Sequence, residues 1–189
     1  MTGGTFGAAC FGLNWSEVAD AANHAAMHMA APGPPLLKFF NAIEGADIEA
    51  IAAQIIPTDA TPGAREAGVV FFIDHGLSSF FAQQVTAFNA GYADFQIRFH
   101  DWQRDASRFA SLSDERQIDF LHTVEHTAFF ESMKLLTVLG MFSMPFYGGN
   151  ARGVGWKLMG FVDEHVFQPP FGFYDHDYPG FVAETPQQT

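Results

Sequence analysis

With 189 residues, a formal net charge of −12 and one cysteine, Cys10, the chain excludes several functions before any motif is read. So acidic a chain repels phosphate backbones, which sets nucleic-acid binding aside. One cysteine forbids an intrachain disulfide, a cysteine-held iron–sulfur cluster and a C-x-x-C-H haem attachment, and no apolar run reaches the roughly 18 residues of a membrane-spanning helix.

Residues 1–37 contain no Lys or Arg, yet Gly3–Leu13 is weakly apolar, like the central part of a secretory signal. Without a basic start the expectation divides: these residues follow a longer signal, or they are structural. Asn14 or Ser16 caps a helix to about Met29, which Pro32, Pro34 and Pro35 end. Asp47 opens a second helix to Ile56, with Ile48, Ile51, Ala52 and Ile55 at helical spacing, and Pro57 stops it. Residues 57–63 (PTDATPG) form a turn-rich loop. A third helix is expected over Ala64–Ser78, a fourth over Phe80–Phe88 and a more polar fifth over Ala93–Phe109. Ser113, followed by Asp114 and Glu115, opens the longest helix, with a stripe of Ile118, Leu121, Ala128, Phe129, Leu136 and Leu139 running to Gly140. Beyond it the prolines and glycines allow one short helix near Val154–Phe161. With no internal repeat and no strand alternation, the fold class is all-α: an irregular helical bundle (39–161) with an N-terminal segment (1–38) and an extended C-terminal tail (162–189).

Charged residues make up 16 % of the chain, against about 25 % in ordinary domains. There are 22 phenylalanines, many in pairs: Phe39-Phe40, Phe71-Phe72, Phe80-Phe81 and Phe129-Phe130. Neighbours on a helix point about 100° apart, so a pair does not easily face one small core. The excess predicts either a large aromatic core or a permanently covered partner surface.

His122-Thr-Val-Glu125-His126 matches H-x-x-E-H, a reversed zinc-protease motif. On a continuous helix the two histidines share a face and would chelate a metal, with Glu125 as base. The third ligand is missing, since Glu131 and Glu164 sit in no recognisable second motif. The same wheel puts Glu125 near the apolar stripe, where it would be a buried carboxylate paired with a residue such as Arg65. A metal-dependent hydrolase built on His122, Glu125 and His126 is therefore the alternative to a structural role. No Glu has a His three residues later, which removes a di-iron bundle. The glycine clusters follow no strand, so dinucleotide binding has no support, and no Gly-x-Ser-x-Gly elbow exists. His165, Asp175, His176 and Asp177 of the tail either line a site or are solvated polar residues.

Asp47 through Asp74 (DIEAIAAQIIPTDATPGAREAGVVFFID) resembles the gluconate 2-dehydrogenase subunit 3 family. So does the later segment: Phe129-Phe130, Thr137, Gly140, then Tyr147-Gly148-Gly149-Asn150 and Gly155-Trp156. The resemblance covers about Phe39–Phe161. It implies a non-catalytic small (gamma) subunit with no cofactor of its own. Its partner would be a flavoprotein of the glucose–methanol–choline type that holds FAD and oxidises sugars or sugar acids. A cytochrome c is a further candidate partner, as electron acceptor. It also implies a periplasmic site reached by twin-arginine export beside the folded partner, although the arginine pair is absent from this sequence.

The residues agree with that role. Gly148-Gly149 permits close backbone approach or a left-handed turn. Tyr147 and Trp156 have the apolar body and polar tip that anchor interfaces. A tail carrying Phe161, Phe171 and Tyr174 cannot build its own core. Tyr147, Gly148, Gly149, Asn150, Trp156, Phe161, Phe171 and Tyr174 are thus the expected partner-binding residues. Plain packing of the tail on the bundle is the competing expectation for Tyr147 and Trp156.

Overall fold

The computed structural model describes residues 36–106 and 108–161. The helix expected over Asn14–Met29 and the tail with Phe171 and Tyr174 lie outside the described residues. Among those described there are six α-helices, joined by loops and short 3-10 turns, and no strand.

Helix α1 spans Ala42–Ile55. It starts at Asn41, not at Asp47. The Asn41 side chain accepts the N–H groups of Ile43 and Glu44, while the Glu44 carboxylate accepts that of Asn41. This reciprocal pair satisfies the free donors of the first turn. Asp47 is instead buried inside the helix, and its carboxylate accepts the Tyr92 hydroxyl (3.0 Å) and the Ala110 N–H (2.9 Å). Burial outweighs these bonds and raises the Asp47 pKa above the usual carboxylate value. Burial and the neighbouring Asp47 also push the Tyr92 phenol upward.

Helix α2 (Val69–Leu77) begins later than the expected Ala64, because Gly68 takes a left-handed φ of 67° and breaks the helical path. Its Asp74, also buried, accepts the backbone N–H groups of Lys38, Phe39 and Phe40 at 2.8–2.9 Å. The incoming chain is thereby tied to the bundle at its first described residues.

Helix α3 is one element, Val85–Trp102, where two were expected. Gly91 marks the false break: a Cβ there would come within 2.9 Å of Phe129 Cβ, so the glycine serves a close helix crossing, not a terminus. Conversely, the expected longest helix is two, α4 (Asp114–Val124) and α5 (Ala128–Phe142). Ser113 caps α4 as expected, and Thr127 caps α5 by accepting the Phe130 N–H at 3.2 Å. Helix α6 covers Val154–Met159.

Helix α1 packs against α2, α4 and α5, and α5 packs against α1, α2, α3 and α6. Between them lies an aromatic core. Phe95 has the rings of Phe109, Phe120 and Phe129 within 5.2–5.4 Å. The phenylalanine pairs divide their labour: Phe40, Phe72, Phe81 and Phe129 are buried, while Phe39, Phe71, Phe80 and Phe130 pack partly exposed against the core. Most of the described phenylalanine is therefore spent internally, so the partner surface must be sought elsewhere. Among the described residues no helix is long and apolar enough to cross a membrane.

Candidate partner-binding face

Helix α5 is apolar on both sides. Phe129, Met133, Leu136 and Met141 point into the core. On the outer side Leu135 and Val138 are 42 % and 47 % exposed, and Leu139 is exposed one turn before the helix ends. No charged residue occurs from 135 to 151. A helix that is hydrophobic all round is normally covered all round. Leu139 was expected in the core stripe with Leu136; it turns out to solvent, and so does Ile118. The gap in charge between Lys134 and Arg152 was the signal that sequence reasoning passed over.

The segment after α5 extends this face by folding back on it. Four of its residues take left-handed backbone angles: Gly148 (φ 103°), Asn150 (45°), Arg152 (58°) and Gly153 (66°). Asn150 is the hub of the turn. Its N–H donates to the Gly140 carbonyl (2.7 Å) and its Nδ2 to the Ser143 carbonyl (2.8 Å), while its Oδ1 accepts the Gly155 N–H (2.8 Å). One side chain thus ties the C-terminal end of α5 to the first turn of α6. Ala151 N–H adds a bond to the Ala67 carbonyl at 2.9 Å. Close approach makes the glycines necessary: a Cβ on Gly149 would strike the Gly140 carbonyl oxygen, and one on Gly155 the Met141 carbonyl oxygen.

The expected partner-binding residues therefore separate. Gly149 and Asn150 are buried, and the Asn150 side chain bonds the subunit's own backbone. Gly148 supplies the left-handed turn. Tyr147 is half-buried with its ring 5.5 Å from Phe80. Trp156 donates its indole N–H to the Phe142 carbonyl at 2.8 Å and lies 5.2 Å from the exposed Phe161 ring. The bond to Phe142 occupies the polar tip of Trp156, while its ring packs against that of Phe161. Leu135, Val138 and Leu139 of α5 and Leu158, Met159 and Phe161 at α6 are thus exposed, as are Arg152 and Lys157.

The H-x-x-E-H segment falls on the break between α4 and α5, which overturns the single helix that reading needs. His122 is on the last turn of α4, Glu125 follows its end and His126 lies in the turn, 92 % exposed. Both histidines meet Glu125, not a common metal position: His122 Nδ1 is 3.1 Å from Oε2 and His126 Nε2 is 3.5 Å from Oε1. The hydrogen bond from His122 is the main reason that the Glu125 pKa is lowered. Glu125 is neither buried nor near Arg65, which pairs with Glu49 at 2.8 Å. Among the described residues no group of three His, Cys, Asp or Glu side chains is placed to hold a metal. His122 and Glu125 instead edge a cleft of about 230 Å³ floored by Ile55, Ile118, Leu121 and Phe130.

Over residues 42–163 the chain matches the model of one protein family, gluconate 2-dehydrogenase subunit 3. No curated protein and no solved structure matches it.

Proposed function

The chain belongs to the gluconate 2-dehydrogenase subunit 3 family, and from that premise we propose that it is the non-catalytic small subunit of an FAD-dependent sugar or sugar-acid dehydrogenase. Family membership makes it an accessory subunit of a dehydrogenase complex. The finer reading is that its partner is a flavoprotein of the glucose–methanol–choline type that carries the FAD, with a cytochrome c as electron acceptor. Both subunits would work in the periplasm, and this one would stabilise the flavoprotein and help its export.

The observation that carries the docking part is the outer side of α5 from Leu135 to its end, apolar and without charge, with the following segment tied to it by the Asn150 hub. Exposed apolar patches of this kind mark partner sites. A rigid backbone under the patch lowers the ordering cost of association. Phe161, and Phe171 and Tyr174 beyond it, are proposed to add contacts from the tail. No described side chain is assigned to the chemistry; the His122–Glu125–His126 trio is assigned to the α4–α5 turn.

The test is co-expression of the tagged chain with the larger subunit. A yellow complex whose FAD is reduced by a sugar or sugar acid supports the proposal. A tagged chain that recovers no flavoprotein, in the presence of a folded, FAD-loaded large subunit, contradicts it.

A further inference from the structure

We propose that the cavity between α2, α3 and α5 is a binding site for one small single-ring phenol.

The cavity holds about 110 Å³. Buried Leu77, Phe81, Phe88, Phe129 and Leu136 form its walls. Exposed Ala87 of α3 and exposed Ala128 of α5 mark its mouth. Gly91, one turn beyond Ala87 on the same face of α3, lets that helix approach Phe129 closely and adds no side chain to close the gap.

Size and lining select the ligand. A buried water needs two to four polar partners, which apolar walls do not supply, and an apolar cavity of about 150 Å³ stays dry and takes up benzene. The volume here is of that order. It admits one six-membered ring and is well below the roughly 300–1,000 Å³ of pockets for larger ligands and cofactors. A sugar or sugar acid, hydroxylated on nearly every carbon, would bury most of its oxygens without partners. The Phe88 and Phe129 rings lie 5.4 Å apart at 65°. Walls set at such an angle offer an incoming ring both an edge and a face.

Two polar side chains of the lining, Gln84 and Ser132, provide for one hydroxyl. Ser132 Oγ already donates to the Ala128 carbonyl at 2.9 Å, so its lone pairs remain to accept the phenol O–H. The Gln84 amide has N–H groups to donate to the phenol oxygen. A phenol thus has apolar walls for its ring and a partner for each function of its hydroxyl. A hydrocarbon would use the walls alone, and a polyol would use little beyond the two polar groups.

The test is an NMR titration of the full-length chain, with isotope-labelled alanine and leucine methyl groups, by phenol and by toluene. Phenol should saturate with a dissociation constant on the order of 1 mM and move the methyl signals of Leu77, Ala87, Ala128 and Leu136. Toluene, with a methyl in place of the hydroxyl, should bind at least about threefold more weakly, and the double variant Gln84→Met/Ser132→Ala should abolish that difference. Ala87→Leu/Ala128→Leu, which fills the mouth at two exposed positions, should weaken phenol at least about tenfold with an unchanged helical spectrum. Ala90→Leu, exposed on α3 and outside the lining, should leave binding as it is. No saturable shift at the four methyls, shifts confined to other methyls, toluene binding as tightly as phenol, or phenol binding that survives the filled mouth would each overturn the proposal. So would N-acetyltyrosinamide binding more tightly than phenol, which would make the occupant a protein side chain. No partner subunit enters the measurement, so its outcome is independent of where a dehydrogenase docks.

Discussion

Replacing Asn150 by alanine removes the hub beneath the proposed face. Two partners lose their bonds, the part-buried Ser143 carbonyl and the buried Gly155 N–H, both now 2.8 Å from the side-chain amide. An unsatisfied buried group costs about 1–3 kcal/mol. Residue 150 also sits at φ 45°, where asparagine is tolerated and alanine costs about 1 kcal/mol more. The sum is about 3–7 kcal/mol, a large share of the ~5–15 kcal/mol by which a domain is stable. In a helical melt followed by circular dichroism the midpoint should fall on the order of 10–20 °C. Asn150→Gly separates the two causes: it loses the same bonds but relieves the backbone, so it should be about 1 kcal/mol milder than alanine. An alanine variant within about 1 kcal/mol of the parent, or a glycine variant no milder than alanine, would refute the assignment of Asn150 as a hub.

Other outcomes follow from the same structure. Gly149→Ala drives a Cβ into the Gly140 carbonyl, a backbone atom, and should cost several times more in urea unfolding than Gly140→Ala, whose Cβ meets Phe72 and Val69 at 3.1–3.2 Å. Asp47 has a raised folded pKa, so its contribution to stability is complete below about pH 4 and is lost as pH rises through the folded value. Asp47→Asn should therefore gain stability relative to the parent as pH rises above about 4; a difference constant with pH would contradict this. His122→Ala, at a side chain 71 % exposed, should leave turnover of the assembled dehydrogenase within a few-fold and stability within about 0.5 kcal/mol. Loss of turnover in an intact, FAD-loaded complex would give His122 a chemical role.

Much of the fold is legible locally. The Ser113 cap and the stop at Pro57 arise from interactions within a few residues. The misplaced boundaries arise from contacts distant in sequence. Gly91 looks like a helix end until Phe129 is seen to occupy the space a Cβ would need. Thr127 is hidden as a cap because Phe130, and not an acid, stands three residues later, so α4 and α5 read as one helix. Asp47 looks like a start signal because its partners, Tyr92 and Ala110, come from other elements. The Tyr147–Trp156 segment could be recognised as special from its glycines and aromatics. Its inward use of Asn150 could not, since that depends on where Ser143 and Gly155 fall after the turn. The outer face of α5 was legible in principle, from the missing charge between Lys134 and Arg152.

The most direct measurement is recovery of the flavoprotein by a tagged subunit carrying Leu135→Asp and Val138→Asp. The control is Ile97→Asp, which places one such charge on a still more exposed apolar residue of α3. All variants should keep the parental helical spectrum, because these side chains face outward. If α5 carries the docking surface, the double variant recovers less than about a tenth of the parental FAD absorbance and Ile97→Asp recovers nearly all of it, two buried charges costing several kcal/mol. Undiminished recovery by the folded double variant would contradict docking on this face.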